Sequence, residues 1–232
     1  MVSVPFQYDW NSGYTDDNGT SNVLIVQPII PVKLNKKWNL INRPVIPIVL
    51  KQTDIAGNSG SQSGLGDILY SAWLSPSTPT DLGGLGDFVW GLGTAISIPT
   101  ATSKLTGSGK LSIGPTAIFL LINKGLTVGA LMNQLWSVAG ESMRDDVDAL
   151  YLQPFISYTT KSAFGIGINL ESTYDWIDDE WSIPVNLYFT QLFNVGDQKV
   201  QAKFGVRYWA DSTPSGPDGW GVRFGLTYLF PK

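Results

Sequence analysis

The chain has 232 residues, with 15 Lys plus Arg against 19 Asp plus Glu and a formal net charge of −4. It contains no cysteine and no histidine. That excludes disulfides and thiol chemistry, removes the usual zinc ligand and every Ser-His triad, and with no basic stripe argues against a nucleic-acid partner.

No stretch of about 18 consecutive apolar residues occurs, so the sequence predicts no transmembrane helix. Mean hydropathy is +0.05, an average that conceals alternation. Glycine (25) and proline (14) are frequent, and no helical period persists. About twelve strands are predicted, at roughly 2–10, 22–34, 38–51, 65–76, 86–98, 110–122, 126–138, 147–159, 163–176, 181–193, 198–210 and 220–230. Strand one puts Tyr8 and Trp10 on one face, Gln7 and Asp9 on the other. Strands two, three and seven alternate less cleanly. Prolines 28, 31, 44, 47, 115, 154 and 184 fall within strands, where a residue without an N–H predicts bulges or gaps in the ladder.

From strand nine onward the alternation is regular. Phe164, Ile166, Ile168 and Leu170 share a face opposite Gly165, Gly167, Asn169, Glu171 and Asp175. Strand ten sets Trp181, Ile183, Val185, Leu187 and Phe189 against Ser182, Pro184, Asn186, Tyr188 and Thr190. Strand eleven sets Val200, Ala202, Phe204, Val206 and Tyr208 against Gln201, Lys203, Gly205 and Arg207. Strand twelve is the clearest: Trp220, Val222, Phe224, Leu226, Tyr228 and Phe230 oppose Gly221, Arg223, Gly225, Thr227 and Leu229. Successive strand side chains point to opposite faces. An apolar face with aromatics near strand ends and a polar face with charges suits lipid outside and a lumen inside.

The connections are expected to alternate. Long or polar ones are 11–21, 52–64, 99–109, 139–146, 177–180 and 211–219; short ones are 35–37, 123–125, 160–162 and 194–197, with 77–85 intermediate. Outer-membrane barrels keep short turns in the periplasm and longer loops outside, so an even strand count places both termini in the periplasm. Aromatics fall into two belts: Tyr8, Trp10, Trp136, Tyr174, Trp176, Trp181 and Trp220 at the outer rim, and Trp38, Phe88, Trp90, Tyr158, Phe164, Phe193, Tyr228 and Phe230 at the periplasmic rim. No export signal is legible after Met1-Val2-Ser3, so the chain reads as a mature form. The fold expectation is a single all-β domain over 1–232, a closed antiparallel transmembrane barrel.

Several segments carry a resemblance. They include Val26-Gln27-Pro28-Ile29-Ile30-Pro31, Trp38-Asn39-Leu40-Ile41-Asn42-Arg43-Pro44, Gly64-Leu65-Gly66-Asp67, Ile98-Pro99-Thr100-Ala101-Thr102, Gly109-Lys110-Leu111-Ser112-Ile113-Gly114-Pro115, Ser172-Thr173-Tyr174-Asp175-Trp176 and Leu229-Phe230-Pro231-Lys232. In order, from about residue 3 to the C-terminus, they resemble the outer-membrane transporter family named for the meta-pathway of phenol degradation. The resemblance implies a Gram-negative outer-membrane barrel and uptake of small solutes, small aromatic compounds among them. It assigns no residue a role.

The candidate lumen residues are Asp9, Gln27, Arg43, Asp67, Asn169, Glu171, Asp175, Lys203, Arg207 and Arg223. If the last hairpin turns near residue 215, Arg207 lies opposite Arg223, and closure brings Asp9 and Gln7 toward Arg223. Charged rings set selectivity in pores, and salt-bridge networks fill small barrels; both roles are open to this group. Asp16-Asp17-Asn18-Gly19 and Asp145-Asp146 with Asp148 lack the spacing of a calcium loop and read as solvated acidic loops. Gly84-Leu85-Gly86 and Gly91-Leu92-Gly93 precede no helix, so they supply small lumen positions rather than a phosphate cradle. No metal or cofactor is expected.

These residues support a passive channel for small solutes, with membrane lipid and the solute as partners. Alternatives are a structural or engineered barrel scaffold with a plugged lumen, a soluble β-sandwich or lectin-like binding protein, and an outer-membrane phospholipase. The last needs a histidine, which is absent. The solute, ion preference and oligomeric state are not legible.

Overall fold

A computed structural model of the protein describes residues 1–14, 19–55 and 58–231. The acidic segment at 16–18 therefore lies outside the described residues.

Twelve barrel strands form one closed antiparallel sheet. Strand one is Val2–Tyr14; strand two is Gly19–Val26 resuming at Ile30–Lys33; strand three is Trp38–Ile55; strand four is Asn58–Leu65 resuming at Ile68–Pro76. Strands five to eight are Asp87–Ile98, Lys110–Asn123, Leu126–Gly140 and Asp148–Thr159. Strand nine is Phe164–Leu170 resuming at Ser172–Asp175, and strands ten to twelve are Glu180–Val195, Gln198–Asp211 and Gly219–Phe230. Strand one closes on strand twelve in unbroken register from Val2 opposite Phe230 to Asn11 opposite Gly221. Closure leaves no open sheet edge, which lipid would not tolerate.

The barrel is inverted relative to a soluble sheet. Phe224 is 48% exposed and its neighbour Arg223 only 2%. Phe204, Ile168, Leu187 and Leu226 also stand on the outside, and rings pair laterally there. Phe204–Phe224 centroids are 5.2 Å apart, Phe6–Tyr228 6.0 Å and Tyr208–Trp220 5.1 Å. An apolar exterior of this extent is incompatible with water and matches the bilayer core with its interfacial aromatics. Val200 is the exception on its strand: it sits between Phe193 and Tyr228 in the ladders and is covered.

At the terminal end the turns are tight. Lys124 and Gly125 join strands six and seven with φ of 47° and 90°, the two left-handed residues of a type I′ hairpin. At the other end the expected loops are partly strand. Gln52 and Thr53 pair with Gln62 and Ser61, so most of the segment 52–64 is hairpin. Above the bilayer both faces of a hairpin meet water, so the polar sequence carries no alternation to read. The 77–85 connection holds a two-residue strand, Thr80–Asp81, and a 3-10 turn at Gly83–Leu85.

The prolines mark the interruptions. Val26 pairs with Ile46 and Ile30 with Asn42; continuing that register sets Pro28 against Pro44, two residues that cannot donate, and strand two breaks there. Pairing of strands six and seven skips Pro115, and Pro184 lies at a register shift. Pairing of strands eight and nine passes from Leu152 opposite Ser172 to Phe155 opposite Asn169, skipping Pro154. Pro31 and Pro47, by contrast, stay within paired segments.

Candidate functional site

Strand nine breaks at Glu171, with Pro154 on one flanking strand and Pro184 on the other. The Glu171 N–H still bonds the Pro184 carbonyl at 3.2 Å, and its carboxylate enters the lumen. There it meets two arginines. Arg223 donates Nη1 to Glu171 Oε1 at 2.7 Å and Nη2 to Oε2 at 2.8 Å, while its Nε and Nη2 reach Asp9 Oδ1 and Oδ2 at 2.7 and 2.9 Å. Arg207 donates Nη2 to Glu171 Oε2 at 2.6 Å and Nε to Asn186 Oδ1 at 2.7 Å. Gln7 bonds Asp9 at 3.0 Å and Asn169 bonds Glu171 at 3.2 Å. Forked guanidinium–carboxylate contacts of this kind are the strong, directional class.

The register corrects one expectation. Arg223 lies opposite Asp9 on one side and Gly205 on the other, and Arg207 lies opposite Gly221. The hairpin is centred one residue earlier than the expected turn, so the two arginines are diagonal and share Glu171 rather than facing each other. Glycine opposite each arginine leaves room for the guanidinium.

On the terminal side of this layer lies a cavity of about 690 Å³. Its polar lining includes Gln7, Asn169, Glu171, Gln201, Lys203 and Arg223, and its aliphatic lining includes Ile25, Ile41, Val45, Val89, Leu120 and Leu131. Arg43 and Tyr151 also line it, and Arg43 is within electrostatic reach of both Tyr151 and Glu171 from the far side. Arg43 donates Nη2 to Gln27 Oε1 at 2.6 Å. Lys203 stands 4.8 Å from the Tyr188 ring centroid. On the outer side of the layer the inward residues Ser71, Ala95 and Ser112 are 3% or less exposed. The lumen is therefore tight outside the charge layer and hollow beneath it.

Asp67 and Asp175, expected in the same lumen group, are elsewhere. Asp67 lies in the break of strand four and anchors the 99–109 loop, accepting from Ala101 N at 3.1 Å and from Ser108 N and Oγ at 2.7 and 2.9 Å. Asp175 caps the turn after strand nine by accepting from Ile177 N at 2.9 Å. Both sit at the outer rim, where the strands turn and backbone donors need partners.

The anchored loop covers the outer mouth. Thr102 lies over Gly64, whose partner Val49 faces inward, and the Leu105 carbonyl accepts from buried Gln52 at 3.3 Å. Arg144 holds the loop from the other side, with Nε on Ser108 O at 3.0 Å and Nη2 on Gly107 O at 2.5 Å. Lys110 pairs with Asp146 at 2.9 Å. Hydrogen bonds from Lys110 and Ser137 hold the Asp146 carboxyl below the usual carboxylate range, so this tether persists at neutral pH and is lost as acidification protonates the acid. Asp67→Ala removes three bonds to the loop and should cost it on the order of 2 kcal/mol of local stability. Trypsin should then cut after exposed Lys104 faster than in the parent; equal cleavage rates would show that Asp67 does not hold the loop.

Sequence reasoning missed the inward aromatics. Trp73 is 2% exposed and donates Nε1 to Thr116 Oγ1 at 3.1 Å, lying over Gly91, where a Cβ would come within 2.9 Å of it. Trp209 Nε1 reaches Asn11 Oδ1 at 3.4 Å, and its ring centroid is 5.4 Å from the Arg207 guanidinium. The Gly91-Leu92-Gly93 alternation was the available signal, since small inward residues leave space that a large neighbour fills.

A closed twelve-stranded barrel with an apolar exterior and a polar, hydrogen-bonded lumen is a transmembrane β-barrel of the Gram-negative outer-membrane class. No family model matches the sequence, and no curated protein does. Among solved structures, the fold is similar to that of the COG4313 outer membrane channel from Pseudomonas putida F1, with a TM-score of 0.72 at 15% identity over 99% of this chain and 94% of that one. It is also similar to the NanC porin, with a TM-score of 0.59 at 10% identity over 99% and 100% of the two chains. The outer membrane phospholipase of Salmonella typhi gives a TM-score of 0.51 at 12% identity over 98% and 90%.

Proposed function

We propose that the protein is an outer-membrane channel for passive passage of small solutes, with small hydrophobic or aromatic compounds as its cargo. The observation that carries this reading is the 690 Å³ cavity beneath the charge layer, lined by aliphatic side chains together with polar and charged ones. Ligand pockets have this size and this mixture of surfaces. A water-filled pore for sugars or ions has no use for Ile25, Ile41, Val45 and Leu131 on its inner wall, whereas an apolar solute is desolvated there. The charge layer and the 99–109 loop sit above the cavity and make the outer entry the narrow step.

The phospholipase reading has no residue to carry it, because acyl hydrolysis by a serine needs a partner base and the chain has no histidine. The plugged-scaffold reading differs from the channel reading in transport alone. Initial rates of labelled phenol uptake, in cells with and without the protein, separate them. A faster rate with the protein is expected; identical rates would leave the scaffold reading standing.

A further inference from the structure

The lumen holds more cations than its carboxylates can serve. Asp9 and Glu171 face Arg43, Lys203, Arg207 and Arg223, and every ion pair of those two carboxylates goes to Arg207 or Arg223. Among the described residues, Arg43 has one hydrogen bond, to the neutral Gln27 amide, and Lys203 has a ring contact and no hydrogen bond. Both line the same cavity, and neither has an ion pair within 4.0 Å among the described residues. Like charges at one site are costly unless something anionic compensates. Arg43 stands between Ile41 and Val45 on the lumen face of strand three, and Ile25, Val89, Leu120 and Leu131 line the same cavity.

We propose that this cavity binds a small organic carboxylate with an apolar body, its carboxylate held by Arg43 and Lys203 and its body laid on the aliphatic wall. The inference deepens the channel reading and rests on the same cavity. Arg43 has the planar fork that matches a carboxylate in two-point contact, and only one of its donors is engaged; Lys203 adds a mobile point charge. A neutral aromatic solute satisfies the wall and leaves the cations bare. A small inorganic or short-chain anion satisfies the cations and leaves the wall wet. Only a solute with both parts satisfies the cations and the aliphatic lining at once.

Calorimetric titration of the full chain in saturated phosphatidylcholine nanodiscs tests this with benzoate, benzyl alcohol and acetate, each referenced to empty nanodiscs. Benzoate should bind about tenfold or more tighter than either of the others, the factor expected of one charge-assisted contact. Arg43→Gln combined with Lys203→Gln should bring benzoate to the affinity of benzyl alcohol and leave benzyl alcohol unchanged, whereas Arg43→Lys should keep most of the difference. Should the double variant fail to fold, judged by its heat-modifiable mobility, Lys203→Gln alone should still narrow the difference. Equal affinity for benzoate and benzyl alcohol in the parent, no measurable benzoate binding, or a difference that survives loss of the cations overturns the proposal. Conductance of the same preparation in planar bilayers keeps the two readings apart. Selective binding without conductance sinks the channel reading alone, and conductance without selective binding sinks this one alone.

Discussion

Arg223→Ala is expected to destabilise the barrel by about 3–5 kcal/mol, the cost of leaving a buried charge without its partner. The side chains of Arg223 and Asp9 are 3% and 5% exposed, and the alanine variant strands Asp9 with Gln7 as its remaining close donor at 3.0 Å and Arg207 at 3.6 Å. Glu171 keeps Arg207 but loses the fork on its other side. Arg223→Lys should recover only part of the loss, since an ammonium cannot hold two carboxylates in two-point contact. Equilibrium unfolding in lipid or detergent measures both. A loss below ~1 kcal/mol, the scale of exposed ion pairs, would mean that water and ions serve these carboxylates and that the cluster is not a strut.

The second large effect is on the opposite face of the same strand. Phe224 is packed against Phe204 at 5.2 Å and Tyr8 at 6.5 Å and stands mid-strand toward lipid. Phe224→Arg should cost ~2–4 kcal/mol, the depth-dependent penalty for a cation near the bilayer midplane. Thr227→Arg, three residues on and facing the cavity, should cost far less, because the lumen hydrates the charge. Equal penalties at 224 and 227 would mean that the two faces do not differ in environment.

The legibility of the sequence followed the polarity contrast between faces. In strands nine to twelve the lumen wall is polar or glycine-rich, and the alternation of faces was legible there, as was the approach of Asp9 to Arg223 across the closure. In strands two, three and seven the lumen wall is itself apolar, with Ile25, Ile41, Val45 and Leu131 inside. Alternation then vanishes although the strands are regular, and the feature that blurred the reading is the one that shapes the cavity. The arginine pair was misplaced because the turn centre was guessed one residue late, which displaces a cross-strand partner by two. Asp67 and Asp175 have inward parity at rim positions, and parity cannot distinguish a lumen charge from one that caps loop backbone. Glu171 carried a usable signal in Pro154 and Pro184, which loosen the ladder on both sides of it.

The similar solved folds show an outer-membrane β-barrel. The proposed cargo rests on the cavity, and the proposed ion preference rests on Arg43 and Lys203, which have no ion pair among the described residues. Both follow from the claim that solutes cross through this lumen and past this charge layer.

The most direct measurement is the reversal potential of the protein in a planar bilayer under a KCl gradient. An excess of cations in a narrow, low-dielectric lumen should favour chloride over potassium, and Arg43→Gln with Lys203→Gln should shift the potential toward cation preference. A potassium-selective current in the parent, or a reversal potential indifferent to both substitutions, would contradict the account.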